Sequence, residues 1–347
     1  MRKRKEFNSK TSRTRKSNLG YRVIAFLLIT LVIMIGKFTA HNEEVLPTLD
    51  PIAFLTKQPT VTDQPSQSKI PTITKQPTKV EPPSDTKPSG EVPELTVHFI
   101  DVGQADAILI ESERKFMLVD GGNNEDKEVV LDYLEAAGVT RLEYIVGTHP
   151  HEDHIGALDD VIETYEVSKI YAPHIEHTSK TYYSFLEATV LKNLTLRQPK
   201  VGSEIKLGEC TVTFFAPNKD YDTDLNNWSI GLKVTNGVHT FVMYGDAEEQ
   251  AEQDVLTNGI DMNGDVLKLG HHGSSTSTSE EFLEAVSPDY AVISVGEGNS
   301  YGHPHSETLK KVEEAKILLF RTDEQGTIIA TSDGSEIKWN VAPINKR

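Results

Sequence analysis

Residues 147–154 read GTHPHEDH and come directly after the apolar run LEYIV (142–146). Three of the chain's 12 histidines and two carboxylates thus fall within six positions, at the end of what reads as a buried strand. Neutral imidazole is a good ligand for Zn²⁺ and related ions, at about 2.0–2.1 Å. His149 and His151 are two apart, so an extended backbone places both on one side. The chain then turns, and Asp153 and His154 can face a second ion. Pro150 stiffens the path. Paired ions about 3.5–4 Å apart need a bridging anion from another loop, and Asp246, closing TFVMYGD, is well placed for it. An idle surface loop has no reason to concentrate these groups, and the segment reads as a metal site.

Other polar clusters succeed apolar strands in the same way. LTVHFIDVG and DAILIES read as two strands around DVGQA, KFMLVDGG as a third and LEYIVGTH as a fourth; helical spacing covers 126–137, 156–165 and 181–192. A strand-rich section begins at Val201. Within it SIGLKVTNGVHTFVMYGD is a hairpin about the Asn236-Gly237 turn. VLKLG with a helix at 279–286 and YAVISVG with one at 306–315 come next, and the chain closes on ILLFRTDEQGTIIATSDGSEIKWN. Two strand-rich halves with interspersed helices predict a layered α/β sandwich. DGG (120–122), THPHEDH, Gly245-Asp246, HHGSS (271–275) and GNSYGHPH (298–305) all lie at strand ends, where a rigid sheet can hold converging loops.

These segments carry a resemblance. THPHEDH matches the HxHxDH signature of the metallo-β-lactamase-fold hydrolases, and Gly245-Asp246 their bridging-aspartate motif. HFIDVGQADAILI, LVDGG, NNWSIGLKV, DVLKLGHHGSSTSTS, YAVISVGEGNSYGHPH and LFRTDEQGTI, in order over nearly all of 95–340, are similar to the extracellular hydrolase domain of ComEC-type competence proteins. The resemblance implies a four-layered αβ/βα sandwich. It implies that His149 and His151 hold one ion, that Asp153, His154 and His272 hold another, and that Asp246 stands between them. The cofactors are then two divalent ions, zinc or alternatively manganese. By analogy with phosphorylcholine esterases of the same fold, His272 is the ligand and His271 faces the scissile phosphate; the reverse assignment stays open. The wider family supplies a further histidine before the bridging aspartate, where this chain offers Asn226, Asn227 and Ser229; His239, beside a turn, is a poor substitute. Ala105 replaces a glycine of the competence-type motif. Asp101, Gln104 and Asp106 are expected to support the ligand histidines or to cap their turn. His303 is expected to protonate a leaving group or bind a substrate oxygen, and His174 and His177 to lie at the surface.

The N-terminal third is of another kind. Nine basic residues and one acid occupy 2–22, ahead of the apolar VIAFLLITLVIMIG (23–36). A basic flank before an apolar core predicts export of the residues beyond it. The segment 23–40 reads as a signal anchor or a cleaved signal peptide, the anchor being favoured because KFTAHN lacks a clean small-x-small pair. Ten of the 17 prolines lie between Pro47 and Pro93, and TKQPT occurs twice, so 41–94 reads as a solvated linker. The expected domains are a basic tail (1–22), this segment (23–40), the linker (41–94) and the hydrolase domain (95–347). A competence channel has many membrane spans and this chain at most one, so it resembles the hydrolase on a stalk without the channel. Cys210 is alone and permits no internal disulfide, which fits a bacterial surface.

The first 94 residues hold 15 basic and 9 acidic groups, which leaves the folded part at −23 against −17 for the whole chain. Such a charge disfavours tight nucleic-acid binding. The expected function is an exported metal-dependent hydrolase, foremost a phosphodiesterase or nuclease using a metal-bound hydroxide. The catalytic residues would be Asp153, His271 and His303, with Asn227 and Ser229 beside the substrate or supporting the ligands from behind. Hydrolysis of envelope phosphodiesters, lactones or amides is the alternative, and a non-catalytic metal-dependent binding domain a second one. Nothing in the pattern sets an oligomeric state.

Overall fold

Alternation decides the first strand. Leu95, Val97 and Phe99 share one fully buried face of β1 (Leu95–Phe99), with Thr96 and His98 on the other. β1 pairs antiparallel with β2 (Ile108–Ser112), and β2 with β3 (Lys115–Val119). From β3 the sheet continues in parallel through β4 (Arg141–Val146), β5 (Glu166–Tyr171) and β6 (Leu196–Arg197). Parallel neighbours require crossovers. These are α1 (Lys127–Ala136), then α2 (Glu152–Ile155) with α3 (Leu158–Thr164), then α4 (Lys180–Leu191).

The second half repeats the scheme. β7 (Glu204–Leu207), β8 (Cys210–Phe214), β9 (Leu232–Asn236) and β10 (His239–Met243) are antiparallel neighbours. β11 (Val266–Lys268), β12 (Tyr290–Ile293) and β13 (Leu318–Arg321) continue in parallel, through α5 (Glu249–Leu256), α6 (Glu280–Val286) and α7 (Ser306–Glu314). After α8 (Thr322–Gln325) the chain returns to the first sheet, with β14 (Ile328–Ser332) beside β1 and β15 (Ile337–Trp339) at the edge.

The sheets face each other across Val97, Phe99, Met117, Phe214, Phe241 and Met243. Helices cover the outer faces, through Leu109, Leu134, Leu158 and Phe185 on one side and Leu267, Phe282, Val286 and Val312 on the other. This is the mixed α/β arrangement of two sheets with outer helices that the sequence predicts.

The computed structural model describes residues 92–346. The basic tail, the apolar segment and nearly all of the linker lie outside these residues. No helix among the described residues is long and apolar enough to cross a membrane. Described residues before Leu95 already make contacts with the domain. Asn236 donates to the Pro93 carbonyl (2.9 Å), and Val92 packs where a side chain on Gly334 or Gly237 would stand.

Sequence patterning does not reveal β5, β6 and α5. EVSKIY holds a serine and a lysine within six residues, β6 has only two residues, and α5 offers three apolar side chains in eight. The helix expected over 156–165 is α3, and the short α2 precedes it, the two being separated at Gly156 and Ala157. There the loop after β4 presses on the loop after β3: a Cβ on Gly156 would stand 2.1 Å from the Asn123 carbonyl carbon. The Gly156 N–H donates to the Gly122 carbonyl (2.8 Å) and the Gly121 N–H to that of His154 (2.6 Å).

This packing has two testable consequences for stability. Gly156→Ala forces backbone apart and is expected to cost about 1–3 kcal/mol, read as a lower urea midpoint at unchanged slope. His98 shares a hydrogen bond with Tyr133 (2.9 Å), and burial lowers its pKa from 6.5 to about 4. The unfolded chain therefore takes a proton that the fold refuses, and stability present above pH 6.5 is lost as pH falls through about 4. His98→Gln is expected to flatten that loss in urea unfolding between pH 7 and 4.5.

Candidate metal centre

Five loops meet above one edge of the paired sheets. The loop after β4 carries His149, His151, Asp153 and His154; that after β10 carries Asp246; and that after β11 carries His271 and His272. The segment between β1 and β2 brings Asp106, and the loop after β12 brings His303. Asp246 Oδ2 lies 3.2 Å from His154 Nε2, 3.6 Å from His271 Nε2, 3.7 Å from His272 Nε2 and 4.0 Å from His149 Nε2. His272 Nε2 also stands 3.4 Å from Asp153 Oδ2, and His154 Nε2 stands 3.9 Å from it.

These distances suit a cation better than hydrogen bonds. His154 Nε2, His272 Nε2 and Asp246 Oδ1 are buried without a hydrogen-bond partner. Donors about 2.0–2.1 Å from a tetrahedral ion lie about 3.3 Å from one another. The four imidazole–carboxylate separations among Asp153, His154, Asp246 and His272 span 3.2–3.9 Å, and one ligand atom of each lies within 4.8 Å of all the others. Electrostatics agrees. Burial opposes charge on His154, but Asp246, Asp120 and Asp153 outweigh it and lift its pKa well above the usual histidine value. The negative surroundings that favour a proton at this position would equally favour a metal ion. Burial likewise opposes charge on Asp246 and Asp153, yet the neighbouring histidines depress both carboxyls, His154 foremost. Burial keeps His149 and His151 neutral, as ligands must be. The residues fit a divalent ion.

The other position has fewer donors. His149 Nε2 and His151 Nδ1 are 2.9 Å apart, and Asp246 Oδ2 lies 4.0 Å from the former. Ser229 does not replace the missing histidine: its hydroxyl accepts from the Asp246 N–H (3.1 Å) and lies 3.3 Å from His149 Nδ1. Asn227 holds the backbone of Glu248 (3.0 Å) and the carboxylate of Asp224 (2.6 Å), away from the histidines. His239 bonds Ser332 (2.8 Å), far from the centre in the fold. His177, expected at the surface, is half-buried with its ring 6.4 Å from that of His151, whereas His174 is exposed.

The adjacent histidines differ in kind. His272 is buried, donates from Nδ1 to the Ser294 carbonyl (3.0 Å) and directs Nε2 at Asp153 and Asp246. His271 retains 23 % side-chain exposure, and its Nδ1 faces Glu248 (3.4 Å) and Thr276 (3.4 Å). Both adopt left-handed backbone, at φ 48° and 52°. His303 borders the open side, 5.6 Å from the His271 ring, with Gln104 Nε2 3.4 Å from its Nδ1 and Tyr301 stacked on it. Asp101 caps its own turn through the Gly103 N–H (3.2 Å) and does not reach a histidine. Ala105 is buried and has no positive φ, so the position tolerates a side chain.

Asp120, Lys268 and Glu248 do not stand out in the sequence as site residues. Asp120 accepts from His154 Nδ1 (2.8 Å) and from the Thr148 N–H and hydroxyl (2.7 and 2.8 Å). Its DGG segment is visible as a polar strand end, without a role. A groove of 720 Å³ runs from Asp153 past Asp101, Glu125, Glu152 and Tyr301.

Comparison with known proteins agrees with this geometry. Residues 100–297 match the model of the metallo-beta-lactamase superfamily. ComE operon protein 3 of Bacillus subtilis (strain 168) is 28% identical over 250 residues, which is 67% of this chain and 32% of that protein. Competence protein ComA of Neisseria gonorrhoeae is 31% identical over 237 residues, covering 68% of this chain and 32% of the relative. The chain thus spans about a third of the length of these relatives. Among solved structures, the metallo-beta-lactamase fold protein YhfI from Bacillus subtilis is 14% identical, covers 69% of this chain and 100% of that one, and aligns with a TM-score of 0.47. With its paired sheets, converging loops and HxHxDH segment, the chain belongs to the metallo-beta-lactamase superfamily.

Proposed function

We infer that the protein is a metal-dependent hydrolase whose preferred substrate is a phosphodiester. The observation that carries this reading is the single carboxylate oxygen of Asp246 within 4.0 Å of four imidazole nitrogens. Asp153, His154, His272 and Asp246 would hold one ion, and His149 and His151, with Asp246 shared, a second. Such ions, zinc or manganese, polarise an ester oxygen and lower the pKa of water towards about 7.

The protein supplies the rest. Asp153, the more exposed of the two carboxylates, can accept a proton from the attacking water. His271, steadied at Nδ1 by Glu248 and Thr276, holds Nε2 3.6 Å from Asp246 Oδ2 on a side chain that is 23 % exposed, a place from which it can meet a substrate oxygen gaining negative charge. Burial and the neighbouring His271 lower the His303 pKa to about 4. His303 is then neutral at pH 7, which suits binding a substrate oxygen rather than delivering a proton.

The carboxylates along the groove repel a long polyanion. This favours a small envelope diester, or a single strand delivered locally, over bulk duplex. The relatives' names as competence proteins support nucleic acid as the second reading. The basic flank and apolar core of the N-terminal segment support a catalytic domain outside the membrane, anchored or released.

Asp246→Asn keeps the volume but removes the shared charge. Hydrolysis of bis-p-nitrophenyl phosphate is expected to drop at least about a hundredfold while the melting temperature holds; undiminished turnover would overturn the reading. Excess chelator should abolish activity and added zinc or manganese restore it, and an enzyme indifferent to chelator would exclude metal chemistry. Asp120→Asn withdraws the carboxylate that orients His154 and is expected to weaken metal affinity about 10–100-fold, measured by competition with a chromophoric chelator.

A further inference from the structure

Lys268 closes β11 inside the protein, with 1 % of its surface exposed. A buried ammonium requires a partner. Nζ donates to Asp106 Oδ2 (2.9 Å) and to the Leu269 carbonyl (3.0 Å). Asp106 is equally buried, and its other oxygen, without a hydrogen bond, stands 3.6 Å from His272 Nδ1. The backbone of Asp106 is fixed on both sides: its N–H donates to the Asp153 carbonyl (3.0 Å), and its own carbonyl accepts from the Gly122 N–H (2.8 Å).

The pair therefore joins two segments that reach the centre from different sheets. Asp106 is bound to the segment bearing Asp153, and Lys268 precedes His272 by four residues. Apolar residues of similar volume often stabilise a fold as well as a buried ion pair does, or better. Stability alone is thus a weak reason for this pair. Its direction is what an apolar contact lacks.

We propose that Lys268 and Asp106 are positioning residues of the metal centre, holding Asp153 on the first sheet at a fixed distance from His272 on the second. The Asp153 Oδ2 to His272 Nε2 separation of 3.4 Å is the quantity they set. The proposal rests on the metal-binding reading above. Without the tie the sheets remain packed through their apolar faces, but two donors to the same ion lose their register.

The test separates folding from metal binding in the full-length protein. Lys268→Met with Asp106→Leu removes both charges together, and Lys268→Gln with Asp106→Asn removes them while keeping polar side chains of similar size should the first variant not fold. Thermal melting and zinc affinity, by competition with a chromophoric chelator, are measured for each. The Met–Leu variant is expected to melt near the wild type yet bind zinc at least about tenfold more weakly, and the Gln–Asn variant to show the same direction of loss. A folded variant with wild-type affinity overturns the proposal and leaves the metal reading intact. A wild-type protein that takes up no zinc overturns both.

Discussion

Asp246 leaves β10 with its carboxylate already removed from water, 2 % exposed, and with one oxygen facing four histidines. A carboxylate so placed must be neutralised by its surroundings, because an uncompensated buried charge costs several kcal/mol. The loops after β4 and β11 supply the compensation from opposite sheets. Three carboxylates, Asp246 foremost, favour positive charge at His154 against its burial, and the same surroundings would favour a cation among these donors. The rest of the architecture serves this meeting point. Strands end on one edge, helices bind the outer faces, and glycines such as Gly156 let loops approach to backbone contact.

Much of this is legible in the residues. The density of His149, His151, Asp153 and His154 announces a metal site, because few other arrangements explain three imidazoles in six positions. Asp246 and the His271–His272 pair stand out as polar ends of apolar strands, and the alternating runs indicate two sheets. Geometry alone separates the roles. Asp101 caps a turn while Asp106 enters the centre, although both belong to one short segment. Asn227 and Ser229, neighbours in sequence, turn in different directions. Lys268 carries a usable signal, since a lone lysine in VLKLG must find a buried partner; the identity of that partner, 162 positions away, cannot be read from spacing. β5 and α5 escape a reading of pattern because tertiary burial, rather than strong periodicity, makes them what they are.

The left-handed conformation of His271 and His272 is a local departure with a use. Two consecutive non-glycine residues at positive φ are uncommon and carry strain of about 1–3 kcal/mol each. The turn aims one imidazole into the protein and leaves its neighbour at the opening. An ordinary helical turn or extended segment would set adjacent rings in a different relation, and the pairing of a buried donor with a half-open one would be lost. Gly273 completes the turn, with Pro304 packed where a side chain would otherwise stand.

The place where the chain joins the fold has a geometric result of its own. Val92 and Pro93 sit beside Gly237 and Gly334, at the end of β10 where the strand begins, whereas Asp246 lies past the end where it finishes. A strand of five residues spans about 16 Å. Val92 and Pro93 are therefore held at the pole of the sheets remote from the histidines, so the first described residues brace the turn ends while the site forms at the other edge.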